Sequence, residues 1–168
     1  MKKKRDILPF LPIACAVAII GMMLALVLGS NKTAEFTPPP FEETAAQGVP
    51  DVPEELGYTA PYTEGMDYRF ALCGNVRMDG TAALVYFTNP AENDVWLKLR
   101  VLDEHGNTLG ETGIICPGEY VKALTLDRAL DAGTPISLQI MGYDPETYYS
   151  AGAAVMNTVT GDPLQCPA

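Results

Sequence analysis

Asp144 and Glu146, in the stretch Gly142-Tyr143-Asp144-Pro145-Glu146, are the carboxylates whose spacing best suits acid–base work. A glycan hydrolase needs two such groups flanking the scissile bond, one as acid and one as base or nucleophile. The same residues also read as an ordinary solvated turn opened by Asp-Pro. Nucleophilic hydrolysis needs a base beside a Ser, Thr or Cys. The single histidine, His105, falls in the reversal Asp103-Glu104-His105-Gly106-Asn107, where solvent is its default neighbour. No His/Cys spacing matches a zinc site, so neither metal nor cofactor is expected, and the chain is read as a non-enzyme.

Around those carboxylates stand three tyrosines. Tyr143, Asp144, Tyr148 and Tyr149 form a candidate partner-binding loop, because amphipathic aromatics on a rigid scaffold suit a protein or polysaccharide partner. The competing expectation is that one or two of them cap the core. Of four cysteines, Cys73, Cys116 and Cys166 follow the apolar amino terminus, so one thiol is left over from any internal bridge. Cys73 with Cys116 is the candidate disulfide; free buried thiols are the alternative.

The elements that must carry this loop begin with an anchor. Ile7 to Gly29 holds no charge and is long enough to cross a bilayer core as a helix. Lys2 to Arg5 before it keep residues 1–6 in the cytoplasm and send the remainder outside. Secretion after signal-peptide cleavage is the alternative, which the length of the run and the lack of an Ala-x-Ala site disfavour. Ala14, Ala18, Gly21, Ala25 and Gly29 line one stripe of this helix, a candidate packing seam for a second span.

The chain has 11 Lys and Arg against 21 Asp and Glu, for a net charge of −10. After Lys32 the bases are Arg69, Arg77, Lys98, Arg100, Lys122 and Arg128, against every acidic residue except Asp6. A surface of that sign repels phosphate, which excludes nucleic acid as a partner and holds the body off anionic headgroups. Residues 30–64 combine repelling carboxylates with Pro38, Pro39, Pro40, Pro50, Pro53 and Pro61. They are expected to form an extended, disordered linker, too poor in apolar surface to offset its ordering entropy.

From residue 65 to 161 short alternating runs separated by turn residues predict an all-β domain. Strands are expected over Tyr68–Leu72 with a continuation to Val76, then Ala82–Thr88, Val95–Leu102, Thr108–Glu111 or on to Ile115, Glu119–Leu126, Ile136–Tyr143 and Ala153–Thr160. Val95, Leu97, Leu99 and Val101 face one way while Lys98 and Arg100 face the other, so one side of that strand is buried and the other wet; Trp96 stands where immunoglobulin-type sandwiches often keep a tryptophan, yet at the parity opposite to Val95 and Leu97, so its side is left open. Residues 162–168 are a tail.

Asn89-Pro90, the hairpin Asp103 to Asn107, Pro117-Gly118, and Leu126, Leu130 and Gly133 carry a resemblance. The chain resembles small envelope proteins of Gram-positive bacteria, often found on conjugative elements, with one membrane helix, a Pro/acidic spacer and an immunoglobulin- or fibronectin-like sandwich. The resemblance implies a single antiparallel immunoglobulin-like β-sandwich of about seven strands. It implies no catalytic activity. The expected function is a membrane-tethered, extracytoplasmic interaction or structural module of the cell envelope, accessory to a surface or conjugation assembly. Its alternatives are the ectodomain of a sensor acting through a partner membrane protein and a small envelope glycan hydrolase.

Overall fold

A computed structural model describes residues 38–60 and 66–162. The expected membrane helix 7–29, its stripe Ala14, Ala18, Gly21, Ala25 and Gly29, and Cys166 lie outside the described residues. Within them no helix is long and apolar enough to cross a membrane.

Among the described residues ten strands form three antiparallel sheets: β1 Ala46–Gln47, β2 Tyr58–Thr59, β3 Leu72–Cys73, β4 Arg77–Asp79, β5 Ala82–Asn89, β6 Trp96–Leu102, β7 Thr108–Glu111, β8 Glu119–Thr125, β9 Pro135–Tyr143 and β10 Ser150–Val159. One four-stranded sheet runs β1-β8-β5-β4 and the other β10-β9-β6-β7. A two-stranded ribbon pairs β2 with β3. The steps from β5 to β6, from β7 to β8 and from β8 to β9 each cross between the large sheets, so neither sheet is a simple meander. Side chains of both meet in one core, with Ala83, Val85, Phe87 and Val121 on one side and Leu97, Leu99, Val101, Leu138 and Ile140 on the other. The alternation read along β6 is the cause: Leu97, Leu99 and Val101 are fully buried, while Trp96 and Arg100 are partly open.

Strand β5 departs from that alternation, and the departure organises the molecule. Nearly every residue from Ala83 to Asn89 is buried, on both faces. Ala83, Val85 and Phe87 fill the core, whereas Leu84 and Tyr86 point outward into a second apolar cluster with Leu56 and Cys73. A bulge between Leu84 and Phe87, with Tyr86 at φ 44°, lets the strand present large residues both ways. The outward cluster demands a cover.

Residues 38–60 supply it, which corrects the expectation of a disordered linker for that part of 30–64; residues 30–37 and 61–64 lie outside the described residues. Phe41 bridges Ile114 in parallel, β1 adds itself to β8, and a single 3₁₀ turn, Glu54–Leu56, drives Leu56 to zero exposure. The reasoning from composition counted carboxylates and prolines over the whole stretch. What decides the outcome is a few apolar side chains, Val52, Leu56 and Tyr58, meeting a surface already apolar, with backbone groups satisfied on existing strands. The acidic groups stay exposed between them. Leu56→Ala is expected to destabilise the domain by about 2 to 4 kcal/mol, the usual cost of emptying a buried leucine site. Chemical denaturation checks this; a loss below about 0.5 kcal/mol would mean that the strap does not contribute to the fold.

Candidate functional site

The outer face of the β10-β9-β6-β7 sheet ends in an aromatic cluster built from three separate segments. Trp96 opens β6 and stands opposite Tyr143, the last residue of β9, so both project from the same face. Phe41 meets the Trp96 ring edge-on at 5.0 Å between centroids, and Tyr148 meets it from another direction at 5.4 Å. Such edge contacts suit the ring quadrupoles. Phe41 remains 52 % exposed and Tyr149, next in chain to Tyr148, 77 %.

Each segment is fixed by its own hydrogen bonds. Glu42 donates its amide to the Ile114 carbonyl (2.8 Å), and its carboxylate accepts from the Gly113 amide (2.7 Å) and the Thr44 hydroxyl. Burial works against ionisation of Glu42, but the Thr44 and Gly113 donors outweigh it and hold the carboxyl below its usual range. Gly113 is where the strap lies closest: a Cβ there would sit 2.6 Å from the Glu42 nitrogen. Trp96 is held by the pairing of β6 with β9 and by the hydrogen bonds that its neighbour Leu97 exchanges with Ile115, and the row that follows it on the same face is tied by ion pairs. Lys98 is nearly buried and bonds Glu111 at 2.7 Å, while Arg100 holds the other oxygen of Glu111 at 2.8 and 2.9 Å.

The loop after β9 is closed by Asp144. Its Oδ1 accepts from the amides of Glu146 and Thr147 and from the Thr147 hydroxyl, at 2.7 to 3.0 Å. These donors, the Thr147 amide foremost, lower the Asp144 pKa. Tyr148 donates its amide to the Asp144 carbonyl and takes φ 59°, which turns its ring onto Trp96 and leaves Tyr149 outside. Asp144 is thus a structural acceptor within its own turn, and Glu146 is exposed. The geometry does not assemble these two carboxylates around a shared space.

Of the expected binding residues, the structure brings Tyr143 and Tyr148 to Trp96, places Tyr149 beside them, and assigns Asp144 to the turn that holds the loop. Phe41 and Trp96 were missed. The parity of Trp96, opposite to Val95 and Leu97, was the available signal. His105 is open to solvent, with Glu104 at 3.8 Å. Among the described residues no group of three or more His, Cys, Asp or Glu is placed to hold a metal.

The expected Cys73–Cys116 bridge is not formed: both are free thiols. Cys73 sits in the outward cluster of β5 with Leu56, and burial pushes its pKa up to about 11. Cys116 lies in the turn before β8, where burial first and the Glu119 carboxylate second also raise its pKa. The two halves of the proposed bridge belong to different neighbourhoods, which is why proximity along the strands did not pair them. Site-resolved labelling with a maleimide at neutral pH is expected to modify Cys116 well before Cys73. Labelling of Cys73 in the folded protein at the faster rate would contradict its placement.

A cleft of about 410 Å³ separates the strap from the β5 end, walled by Gln47, Val49, Tyr58, Thr88, Pro90 and Gly118. Its hydroxyls satisfy each other, Tyr58 donating to Thr88 at 2.7 Å, and Glu92 supplies the one carboxylate of its lining.

Glu42, Glu111, Asp103 and Asp144 all have pKa values lowered on folding. A depressed carboxyl contributes stability that is present above its unfolded value, near 4, and is lost as pH falls through the folded one. The thermal midpoint is therefore expected to fall as pH drops below about 5. The fall should be shallower in Glu42→Gln/Glu111→Gln; an identical profile would contradict the assignment.

Compared with protein-family models, curated proteins and solved structures, the chain matches none.

Proposed function

We propose that this protein is a non-catalytic interaction module of the bacterial cell envelope, tethered by residues 7–29 and displaying its β-domain outside the cytoplasm. The partner docks at the aromatic end formed by Phe41, Trp96, Tyr143, Tyr148 and Tyr149. The single observation that carries this reading is the exposed Tyr149 beside a Trp96 cluster whose three segments are each locked by hydrogen bonds. Aromatic side chains held in place lose little entropy on binding and supply large amphipathic area, which is why they dominate protein interfaces.

The immunoglobulin- or fibronectin-like assignment belongs to the same proposal. The strand orders and crossings support it, as does the parallel bridge Val76 to Thr160, which joins the first strand region of one sheet to the last strand of the other. No cysteine stands on β5 or β9, so the inter-sheet bridge of antibody domains has no counterpart. The partner is an envelope protein, with an accessory place in a surface or conjugation assembly as the resemblance implies.

A photoreactive residue at position 149 of the full chain, activated in intact cells, tests this. The expected result is one discrete protein adduct that is absent when the same residue replaces Asp79 and reduced at least several-fold by Phe41→Ala. Equal adducts from both positions, no adduct, or indifference to Phe41→Ala would overturn the reading. A glycan adduct in place of protein would overturn the protein assignment.

A further inference from the structure

The two large sheets end in four edges, and three of them are short or covered. Strand β4 spans three residues and β1 two, and β7 spans four before the chain continues into the stretch that pairs with Phe41. Strand β10 is different: it runs ten residues, Ser150–Val159, at the end of its sheet with β9 as its one partner. Natural edges are ordinarily blunted by charge, proline or brevity, because an open row of amides and carbonyls recruits another strand. Ser-Ala-Gly-Ala-Ala-Val-Met-Asn-Thr-Val has no charge and no proline.

Which backbone groups face outward follows from the far end. Thr160 donates to Thr134 on the β9 side, whereas Gly161 donates to Val76 on the opposite side. Amides and carbonyls alternate along an antiparallel strand. Ala153, Val155 and Asn157 therefore present theirs away from β9, and among the described residues none of them is met by another strand. The edge is closed at its far end, where the Thr158 hydroxyl donates to the Gly74 carbonyl (2.9 Å) and Thr160 and Gly161 meet Val76. The side chains flanking the open stretch are also uncharged: Ala153, Val155 and Asn157 on β10, with Ser137, Gln139 and Met141 beside them on β9. Val155 is 56 % and Val159 51 % exposed.

We infer that this edge pairs antiparallel with β10 of a second copy, about a two-fold axis at Ala154. Charge selects the occupant. A chain of net charge −10 repels its own copies over most of its surface, and this strip is where two copies meet without opposing carboxylates. The strip is self-complementary in the way a two-fold axis requires: the open stretch reads small residues at one end and polar ones at the other, so reversal sets Ala153 against Val155 and Gly152 against Met156. Small residues at the junction let the two backbones reach ladder distance. The result is one continuous eight-stranded sheet whose aromatic ends point in opposite directions along it, two docking sites per assembly. Because β10's edge and the aromatic end use different residues, this dimer stands or falls separately from the partner proposed above.

The test uses the full chain with Cys15, Cys116 and Cys166 replaced by serine, leaving the buried Cys73. Val155→Cys is added and treated in cells with a short bismaleimide. A covalent dimer is expected, at least ten-fold more abundant than from Asp79→Cys on β4, and lost when Asn157→Lys places a charge on the same edge. Both 155 and 157 side chains are solvent-facing, so circular dichroism of the variants is expected to match the parent. A Val155→Cys dimer no more abundant than that from Asp79→Cys overturns the inference, as does one undiminished by Asn157→Lys. Should Val155→Cys perturb the fold, Ala153→Cys reads the same edge with the same two outcomes.

Discussion

Asn89→Ala is expected to lower the stability of the β-domain by about 3 kcal/mol and its thermal midpoint by roughly 10 °C or more. Asn89 ends β5 with no exposure at all. Its side-chain amide donates to the carbonyls of Val95 (2.9 Å) and Ile115 (3.0 Å), and its carbonyl oxygen accepts from Asn93 (2.7 Å). Asn93 in turn exchanges two hydrogen bonds with the Arg69 backbone. One amide thus joins the start of β6, the chain leading into β8 and the turn at Pro90. Truncation removes the donor to the Val95 carbonyl, leaves the Ile115 carbonyl with the Leu97 amide alone and opens a void, and stranding a buried polar group costs more than a hydrogen bond returns when made. Asn89→Asp separates the two effects. It keeps the volume yet turns a carboxylate toward two carbonyls, so it is expected to be at least as destabilising as alanine. Urea denaturation of both variants decides; a loss under about 1 kcal/mol in each would show that the network is dispensable.

The second large effect is expected from Gly113→Ala, and it falls on the functional end rather than on the fold. The added Cβ meets backbone atoms of Phe41 and Glu42 at 2.6 to 2.7 Å, and backbone cannot swing aside as a side chain does. The strap must lift between Pro40 and Glu42, which withdraws Phe41 from the Trp96 ring. Since the chain contains a single tryptophan, its fluorescence reports this directly. A red-shifted emission is expected with the thermal midpoint lowered only modestly, because Leu56 and β1 hold the rest of the strap independently. An unshifted emission would mean that Phe41 does not shelter Trp96. The same variant is expected to weaken capture of the proposed envelope partner at least several-fold, by removing one wall of the proposed docking surface.

Much of the architecture was legible because the strand signal is local. The period-two pattern of Val95 to Leu102 and of Ile136 to Tyr143, together with Asn89-Pro90, Gly106 and Pro117-Gly118, located β5 to β10 to within a few residues. The strand expected over Tyr68–Leu72 with a continuation to Val76 is instead the short β3, Leu72–Cys73, which pairs with β2, and a separate strand beyond Val76, β4, joins β5. Nothing local announces that outcome, since it depends on β2 arriving from the strap.

The strap itself was misread for a physical reason that the sequence nevertheless records. Average composition describes a segment's tendency when isolated, and by that measure residues 38–60 have too little to bury. Whether they dock depends on the other surface. The run Ala83-Leu84-Val85-Tyr86-Phe87 is apolar at both parities, which in a two-layer sandwich leaves Leu84 and Tyr86 uncovered unless some further segment lies over them. That inference requires knowing which face is the core face. The candidate site suffered similarly: Tyr143, Tyr148 and Tyr149 were visible as a cluster in one loop, while Phe41 reaches them from a hundred residues away through a parallel pairing with Ile114. The role of Asp144 was legible as a turn, and the turn reading accounts for its three hydrogen bonds.

The claim on which the account turns is that the acidic, proline-rich strap is an integral layer of the domain and builds the aromatic end. Amide hydrogen exchange in the full chain measures this most directly, at the amides of Glu42 and Gly48, which donate to the carbonyls of Ile114 and Gly118 at 2.8 Å. Protection of both by at least about 100-fold over an unstructured peptide is the predicted result, since exchange then requires the strap to open. Exchange of both at the unstructured rate, while the Val121 amide on β8 remains protected, would contradict it.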